Sequence, residues 1–282
     1  PALLAAQTGR MRLCIHQTTT VGAGYRRSLE AYAKAGLRDV EVIPPLVEEF
    51  VKQEGMPAAR RLLSDLGLKA VASGGVRGLA EPHPGRAKAV EELKSRVALI
   101  AELGVDRMVA PCGTSDRFTL DDYKRGVDNL REVGEIVRPY KVTAMLEFMR
   151  GSTFCGTLTT ALKLTREAAH PHVRPMLDFY HFWAGLNRLE DLERLHDGEL
   201  HHVHFQDVPD IPREILDNST REIPGDGVAP VLETLKALKR KKYAGPLSVE
   251  LFYPRFQKGD PYHVASEIKR KSEPIMHRAG VA

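Results

Sequence analysis

Short apolar segments alternate with longer amphipathic segments along this 282-residue chain. The short segments have the length and the apolar or β-branched character of buried strands, and the longer ones repeat apolar residues every three or four positions, as amphipathic helices do. Eight strands are predicted, at 12–16, 39–43, 69–73, 106–110, 142–148, 173–179, 200–205 and 247–252. Strands that are apolar on both faces must be covered on both sides, so the alternation predicts an α/β fold with a parallel sheet.

The number of strand–helix units narrows the fold further. Eight units within 282 residues match a closed (β/α)8 barrel, which takes about 250 residues. In the segment 86–104, four apolar residues fall on one helical face before a terminal glycine: Val90, Leu93, Val97 and Ile100. An open, doubly wound sheet is the alternative, but no glycine-rich dinucleotide loop follows a strand. We therefore expect one barrel domain spanning residues 1–282.

Composition excludes several classes of protein. The chain has 41 Lys and Arg against 37 Asp and Glu, and a net charge of +4 gives little attraction to nucleic acid. The three cysteines, Cys14, Cys112 and Cys155, are too few and scattered for a disulfide framework, which favours a cytoplasmic protein. No apolar run approaches the ~20 residues of a membrane span, and the opening PALLAAQTGRMR lacks the features of a signal peptide.

Polar residues interrupt the last four predicted strands near their carboxyl ends. Because side chains alternate along a strand, the apolar neighbours Leu146 and Phe148 face the helices and the polar residue between them faces the barrel interior. The four residues with this pattern are Glu147, Asp178, His204 and Glu250. The carboxyl ends of parallel strands meet at one mouth of a barrel, so these side chains are expected to converge.

Three carboxylates in a dry barrel need a compensating cation, since an isolated buried charge costs several kcal/mol. A divalent metal supplies that charge. Three oxygen donors and one imidazole suit Mn²⁺, the expected ion, with Mg²⁺, Co²⁺ and Zn²⁺ as alternatives. The sequence thus predicts a metal site formed by Glu147, Asp178, His204 and Glu250.

Other side chains are expected at the rim of this mouth. His181 lies three residues beyond Asp178, where it could donate to a substrate oxygen or support a metal ligand. His16 ends the first strand at the same rim, and Trp183 could form an apolar wall for a sugar. The longest irregular connection, 206–227, follows the seventh strand, and a loop of that length at this place is expected to lie over the mouth.

These segments resemble a known family. The stretches MLEF, LDFYHFWAGL, HHVHFQD, REIPGDG and YAGPLSVELF are similar in order and spacing to the sugar isomerase/epimerase superfamily of xylose-isomerase-like TIM barrels. This superfamily includes ketose 3-epimerases, hydroxypyruvate isomerases, inosose dehydratases and endonuclease-IV-type enzymes. The resemblance covers the last four strands strongly, whereas the first half of the chain shares only the rhythm of its strands.

The resemblance implies a metal-dependent isomerase or epimerase of a small sugar or hydroxy-carbonyl compound. It assigns the metal to Glu147, Asp178, His204 and Glu250, makes the two glutamates paired acid/base groups, and makes His181 a substrate contact. The metal would chelate a carbonyl and an adjacent hydroxyl and stabilise the enediolate formed when a base removes the neighbouring C–H proton. Members often form homo-oligomers.

Departures from the family pattern leave alternatives open. Ketose epimerases usually carry an arginine six residues after the strand-seven histidine, where this chain has Asp210, and the nearest later candidate for a substrate contact is Arg213. A dehydratase of the inosose or dehydroshikimate type is therefore an alternative. Endonuclease-IV-type DNA repair is a remote one, since the sequences ASGG and PCG after strands three and four lack the extra histidines that three metals need.

Overall fold

A computed structural model describes residues 9–282, so the first eight residues, which begin the segment examined for a signal peptide, lie outside it. Its strands are β1 Arg12–His16, β2 Asp39–Val42, β3 Lys69–Ser73, β4 Arg107–Cys112, β5 Thr143–Phe148, β6 Val173–Pro175, β7 Leu177–Asp178, β8 Val203–His204 and β9 Pro246–Val249. They form one parallel sheet in the order β6-β5-β4-β3-β2-β1-β9-β8-β7.

The sheet closes where the predicted strand 173–179 changes partner. Its first half, β6, pairs with β5, and its second half, β7, pairs with β8. Between them the N–H of Met176 donates to the carbonyl of Leu146 over 3.1 Å, and the next N–H, of Leu177, donates to the carbonyl of His202 over 3.2 Å. The eight predicted strands thus appear as nine, and the prediction of a (β/α)8 barrel is confirmed.

Helices surround the barrel. They are α1 Gly24–Lys34, α2 Pro44–Glu54, α3 Met56–Asp65, α4 Arg86–Leu103, α5 Leu120–Val137, α6 Leu158–Ala168, α7 Phe179–Ala184, α8 Val231–Arg240, α9 Pro254–Gln257 and α10 Pro261–Arg278. The predicted apolar face of α4 is buried in the main hydrophobic core. Gly104 ends this helix in the left-handed conformation, with φ of 91°, which glycine adopts without steric cost.

The interior of the barrel has an apolar part and a polar part. A small separate cluster of apolar side chains comes from β3, β4, β5 and the residue between β6 and β7: Ala72, Val109, Met145 and Met176. On the other side, β2 contributes the buried Glu41, and the segment leading into β8 contributes the buried His202. Glu41 and His202 therefore face the apolar cluster from the opposite side of the barrel interior.

The loop 206–227 returns to the strand from which it leaves. Asp207 and Glu222 exchange two backbone hydrogen bonds of 2.8 Å in an antiparallel bridge. A Cβ at Gly227 would lie 2.0 Å from the carbonyl oxygen of Val208, so only glycine allows this close approach. The base of the loop is thus fixed tightly beside β8.

No helix among residues 9–282 has the length and apolar character that a membrane span requires.

Replacement of Leu93 by alanine tests the packing of α4 against the barrel. Leu93 is fully buried, so the variant should lose about 2–5 kcal/mol of unfolding free energy, measured by urea denaturation followed by circular dichroism. Leu186→Ala is the matched control, because Leu186 is 90% exposed and its truncation should change stability by less than about 0.5 kcal/mol. Equal losses in the two variants would contradict this packing.

Candidate metal and active site

The four predicted metal ligands come together at the carboxyl end of the barrel. The Nδ1 atom of His204 lies 3.1 Å from Oε1 of Glu147, 3.4 Å from Oδ2 of Asp178 and 3.5 Å from Oε2 of Glu250. All four side chains are buried, with Asp178 fully so and Glu250 at 8% exposure. One imidazole nitrogen therefore faces an oxygen of each of three carboxylates.

Local backbone structure explains how two of these groups reach the cluster. Asp178 ends β7 and is also the N-cap of α7, where its Oδ1 accepts a 2.7 Å hydrogen bond from the N–H of His181. This leaves Oδ2 to face His204. Glu250 follows the last residue of β9, so its carboxylate reaches the mouth from just beyond the sheet.

A buried arginine that was not predicted from the sequence joins this cluster. Nη1 of Arg221 donates to Oδ2 of Asp178 over 3.1 Å and to Oε2 of Glu250 over 2.5 Å. Its guanidinium carbon lies 4.7 Å from the ring centre of Tyr180 and 4.9 Å from that of Phe252. Arg221 thus contacts two aromatic rings through its guanidinium group and neutralises one unit of the buried negative charge.

Chain direction explains why Arg221 lies there. The family pattern places an arginine six residues after His204, where this chain has Asp210, and the nearest later candidate was Arg213. The bridge between Asp207 and Glu222 instead returns the chain beside β8, so that Gln206 and Arg221 both contact Oδ2 of Asp178. The REIPGDG stretch, which opens with Arg221 and carries the turn glycines, was the available signal.

Of the other predicted rim residues, His16 and His181 lie next to the carboxylate cluster, whereas Arg213 and Trp183 contact each other. His16 has its Nε2 atom 3.6 Å from Oε1 of Glu250. His181 is buried, and its Nδ1 atom accepts from the N–H of Arg150 over 3.2 Å. Arg213 instead stacks on Trp183, with its guanidinium carbon 3.7 Å from the ring centre, and a substrate contact by either residue stays a prediction.

The two glutamates of the cluster differ in proton affinity. Burial raises the pKa of Glu147 to about 7, against the opposing effect of His204. Burial also acts to raise the pKa of Glu250, but the positive charges of His204 and Arg221 outweigh it and lower that pKa below its usual range. At neutral pH one carboxyl group is therefore poised between its two protonation states and the other is ionised.

The two histidines beside the carboxylates also differ. Burial lowers the pKa of His181 to about 4, so its imidazole is neutral at pH 7. For His204, burial acts in the same direction, but the carboxylates of Glu41 and Glu250 outweigh it and raise the pKa well above its usual range. In the absence of a metal, His204 thus carries a proton among the acids.

A cavity of about 280 Å³ lies against the cluster, close to the lower size limit of small-molecule sites. Glu147, His204 and Glu250 line it together with His16, Thr18, Ile43, Pro44, Pro45, Gly74, Gly75, Arg96, Val109 and Pro111. A larger cavity of about 610 Å³ lies beside the loops at Arg150 and Arg213, but its lining contains none of the three clustered carboxylates. The smaller cavity is therefore the candidate substrate site.

The donor set fits a divalent cation. Ligand atoms of Glu147, Asp178 and His204 lie within 4.8 Å of one another, as do those of His16, His204 and Glu250. Oxygen atoms from carboxylates and one imidazole nitrogen are the donors that Mn²⁺, Mg²⁺ and Zn²⁺ accept. A cation here would relieve the repulsion among carboxylates that Arg221 compensates only in part.

Comparison with characterised proteins gives two kinds of relative. The chain is 27% identical over 253 residues to the inosose isomerase of Halalkalibacterium halodurans, covering 87% of this chain and 89% of that protein. It is also 27% identical over 255 residues to the inosose isomerase of Bacillus subtilis strain 168, covering 88% and 91%. A 3-dehydroshikimate dehydratase of Pseudomonas putida is 25% identical over 244 residues, which cover 85% of this chain and 38% of that longer protein.

Solved structures and a family comparison agree on the fold. The structure is similar to that of the IOLI protein solved with a bound zinc atom, with a TM-score of 0.89, 24% identity, and coverage of 95% of this chain and 99% of that one. It is also similar to D-psicose 3-epimerase, with a TM-score of 0.74, 18% identity, and coverage of 95% and 98%. Because residues 29–271 match the xylose isomerase-like TIM barrel family, the chain belongs to that family.

Proposed function

We propose that this chain is a divalent-metal-dependent isomerase that moves a proton between neighbouring carbons of a small polyhydroxy ketone. The observation that carries the proposal is the convergence of Glu147, Asp178 and Glu250, each with an oxygen within 3.5 Å of Nδ1 of His204. Two glutamates of different proton affinity, set beside a metal-binding donor set and a small cavity, form the arrangement that enolisation requires.

The metal would be held by Glu147, Asp178, His204 and Glu250. When bound, it would polarise the substrate carbonyl and stabilise the negative charge of the enediolate. Mn²⁺ is the expected ion because three of the four donors are carboxylates, with Mg²⁺, Co²⁺ and Zn²⁺ as alternatives. The zinc atom of the related IOLI structure supports a divalent ion at this kind of site.

Glu250 is the proposed base and Glu147 the proposed acid. Oε2 of Glu250 is hydrogen-bonded to Arg221, and Oε1 lies beside His16, which lines the cavity, so Oε1 is placed to take a proton from a bound substrate. The pKa of Glu147, raised by burial to about 7, suits a group that both gives and takes a proton near neutral pH. The two residues exchange roles in the reverse reaction.

Arg221 and His181 are proposed to control charge beside these glutamates. Nη2 of Arg221 lies 3.2 Å from Nε2 of the neutral His181, and Nη1 contacts both Asp178 and Glu250. A fixed guanidinium keeps Glu250 ionised in the resting enzyme and offsets the negative charge that grows on the substrate oxygen. Contacts with the rings of Tyr180 and Phe252 restrain the position of this guanidinium group.

The cavity favours an uncharged substrate. Among the described residues that line it, Arg96 is the only lysine or arginine. This guanidinium is already engaged, donating to the carbonyl of Gly75 over 2.6 Å and pairing with Glu92 over 2.5 Å. A carboxylate or phosphate on the substrate would find no unengaged lysine or arginine among these lining residues, so an inosose, as in the inosose isomerase relatives, is the first substrate to test.

A dehydratase is the second candidate. Removal of the same C–H proton, followed by loss of a β-hydroxyl group, gives dehydration at an otherwise identical site, and the relatives include 3-dehydroshikimate dehydratases. Proton NMR in D₂O of the Mn²⁺-loaded protein with inosose, ketoses, hydroxypyruvate and dehydroshikimate distinguishes the two. Deuterium beside the carbonyl of an isomerised product supports the proposal, whereas an unsaturated product identifies the dehydratase.

Glu250→Gln should abolish most of this exchange. The amide keeps the shape of the side chain but cannot accept the proton, so the rate of deuterium incorporation should fall by about 10²–10⁴-fold. Glu81→Gln is the matched control, because Glu81 is another buried acid and accepts hydrogen bonds from Cys112 and Gly113 outside the cluster. Wild-type turnover by Glu250→Gln would remove the assignment of the base.

Metal binding should release protons, and more of them at lower pH. Glu147, with a pKa of about 7, is mostly protonated at pH 6 and mostly ionised at pH 8, while the raised pKa of His204 favours its protonated form in the metal-free protein. Because the metal needs the ionised carboxylate and an unprotonated Nδ1, affinity should rise with pH over this range, by about tenfold per pH unit for one proton. Calorimetric titration of the metal-free protein with Mn²⁺, in buffers of different ionisation enthalpy, counts the protons; a pH-independent affinity would contradict the assignment.

Arg221→Lys should separate catalysis from metal binding. Lysine retains the positive charge but loses the planar fork that contacts Asp178, Glu250 and His181 together. We expect kcat to fall about 10–100-fold while Mn²⁺ affinity changes much less, because Arg221 is not itself a ligand. Arg213→Lys makes the same substitution at an arginine that stacks on Trp183 and does not contact the three carboxylates. An unchanged kcat for Arg221→Lys would exclude Arg221 from charge stabilisation.

A further inference from the structure

A fourth buried acid, Glu41, lies in β2 beneath the metal-binding donors. Its side chain is fully buried, and the Nε2 atoms of three histidines face its two oxygens. His202 lies 2.7 Å from Oε2, His204 lies 3.2 Å from Oε2, and His16 lies 3.4 Å from Oε1. Glu41 is thus the common partner of three imidazoles, each from a strand or a segment next to a strand.

The hydrogen bonds of His16 and His202 define which of their nitrogens carries the proton. Nδ1 of His16 accepts from the N–H of Thr18 over 3.0 Å, which leaves Nε2 to carry the proton, 3.4 Å from Oε1 of Glu41 and 3.6 Å from Oε1 of Glu250. For His202, Nδ1 has no partner among the residues that the structure describes, and Nε2 makes the short contact to Glu41. An ionised carboxylate can only accept, so both rings present Nε2–H to it.

The same reasoning applies to His204, whose two nitrogens face different groups. Nε2 lies 3.3 and 3.2 Å from the two oxygens of Glu41, and Nδ1 faces Glu147, Asp178 and Glu250. A metal ligand must present a free lone pair. When the metal replaces the proton on Nδ1, the Nε2–H donated to Glu41 would keep the lone pair of Nδ1 directed at the site among the three carboxylates, and the carboxylate would also increase the basicity of that nitrogen.

We propose that Glu41 is a positioning residue, whose carboxylate fixes the tautomer and ring orientation of His204 so that Nδ1 is the metal-binding nitrogen. This inference rests on the proposed metal site. Glu41 acts through His204, while a 2.7 Å hydrogen bond from His202 holds the acid in place and Nε2 of His16 lies 3.4 Å from its other oxygen. Glu41 is fully buried and is not among the residues that line the candidate substrate cavity, which separates this role from proton transfer.

The role requires a carboxylate and not only a polar side chain of that size. A glutamine at position 41 would offer one acceptor oxygen and a donor amide to imidazoles that all present N–H. One histidine would then have to turn its ring or move its proton to Nδ1. For His204 that change would place a proton between the imidazole and the carboxylates, where the metal is expected.

The experiment compares Glu41→Gln with Glu81→Gln, a matched loss of a buried carboxylate at a site that touches no histidine of this cluster. Zn²⁺ affinity is measured by calorimetry, and the ring nitrogens of the histidines are assigned by long-range ¹H–¹⁵N correlation spectra in the metal-free and Zn²⁺-loaded proteins. We expect Glu41→Gln to bind Zn²⁺ about 10–100-fold more weakly and to lose the Nε2–H state of His204 in the Zn²⁺-loaded protein, with Glu81→Gln unchanged in both.

Glu41→Asp keeps only acceptor atoms and should restore the wild-type tautomer of His204, with an affinity between those of wild type and Glu41→Gln. Wild-type affinity and spectra in Glu41→Gln would overturn the inference, and so would equal losses in Glu41→Gln and Glu81→Gln. If Glu41→Gln does not fold, Glu41→Asp is decisive, because a changed His204 tautomer with a carboxylate still present overturns the inference.

Failure of the metal site itself gives a different result. If wild-type protein bound no Zn²⁺, the proposed function would fail, yet the metal-free spectra would still test Glu41. In wild type, His16 and His202 must then show Nε2–H, and Glu41→Gln must shift at least one of them. Unshifted rings in that comparison overturn the role of Glu41 independently of any metal.

Discussion

The crowding of three carboxylates around one imidazole nitrogen is the constraint on which the rest of the site depends. Glu147, Asp178 and Glu250 would repel each other in a buried pocket, so the protein must supply positive charge or donors to each of them. Arg221 serves Asp178 and Glu250 together, and Gln206 adds a 2.8 Å hydrogen bond to Asp178. What remains is a compact negative site that a divalent ion would complete.

The barrel allows this concentration of charge because its interior is divided. Ala72, Val109, Met145 and Met176 form an apolar cluster on one side of the interior, where Glu147 at the end of β5 is the one member of the carboxylate cluster. The opposite side holds Glu41 with its three histidines, and that network extends directly into the metal-binding donors through His204. A polar network of this kind is stable in a dry core only when its members satisfy each other, which explains why the histidines gather around a single acid.

Strand periodicity was enough to predict the barrel and the residues that converge at its mouth, because a period of two decides which side chains point inward. Three features of the site and fold depend on long-range contacts that strand periodicity does not encode. The break at Met176 depends on closure of the sheet, which no local pattern records. Arg221 depends on a loop that turns back on itself. Glu41 lies between Val40 and Val42 and therefore has the same alternation as the predicted ligands. Its role could not be predicted from the sequence, because it depends on contacts with three histidines that are distant along the chain or in other strands.

The fixed base of the loop 206–227 gives this scaffold a modular character. Gln206 and Arg221 lie at the two ends of the loop, next to the backbone bridge between Asp207 and Glu222. Both donate hydrogen bonds to Asp178. The segment 210–219 lies between the two bridged residues, Asp207 and Glu222. Within it, Asn218 accepts a 3.3 Å hydrogen bond from Nη2 of Arg221, whereas Arg213 and Glu214 line the larger, outer cavity. Variation around Arg213 and Glu214 would therefore reshape the outer cavity without displacing the two residues that hold Asp178.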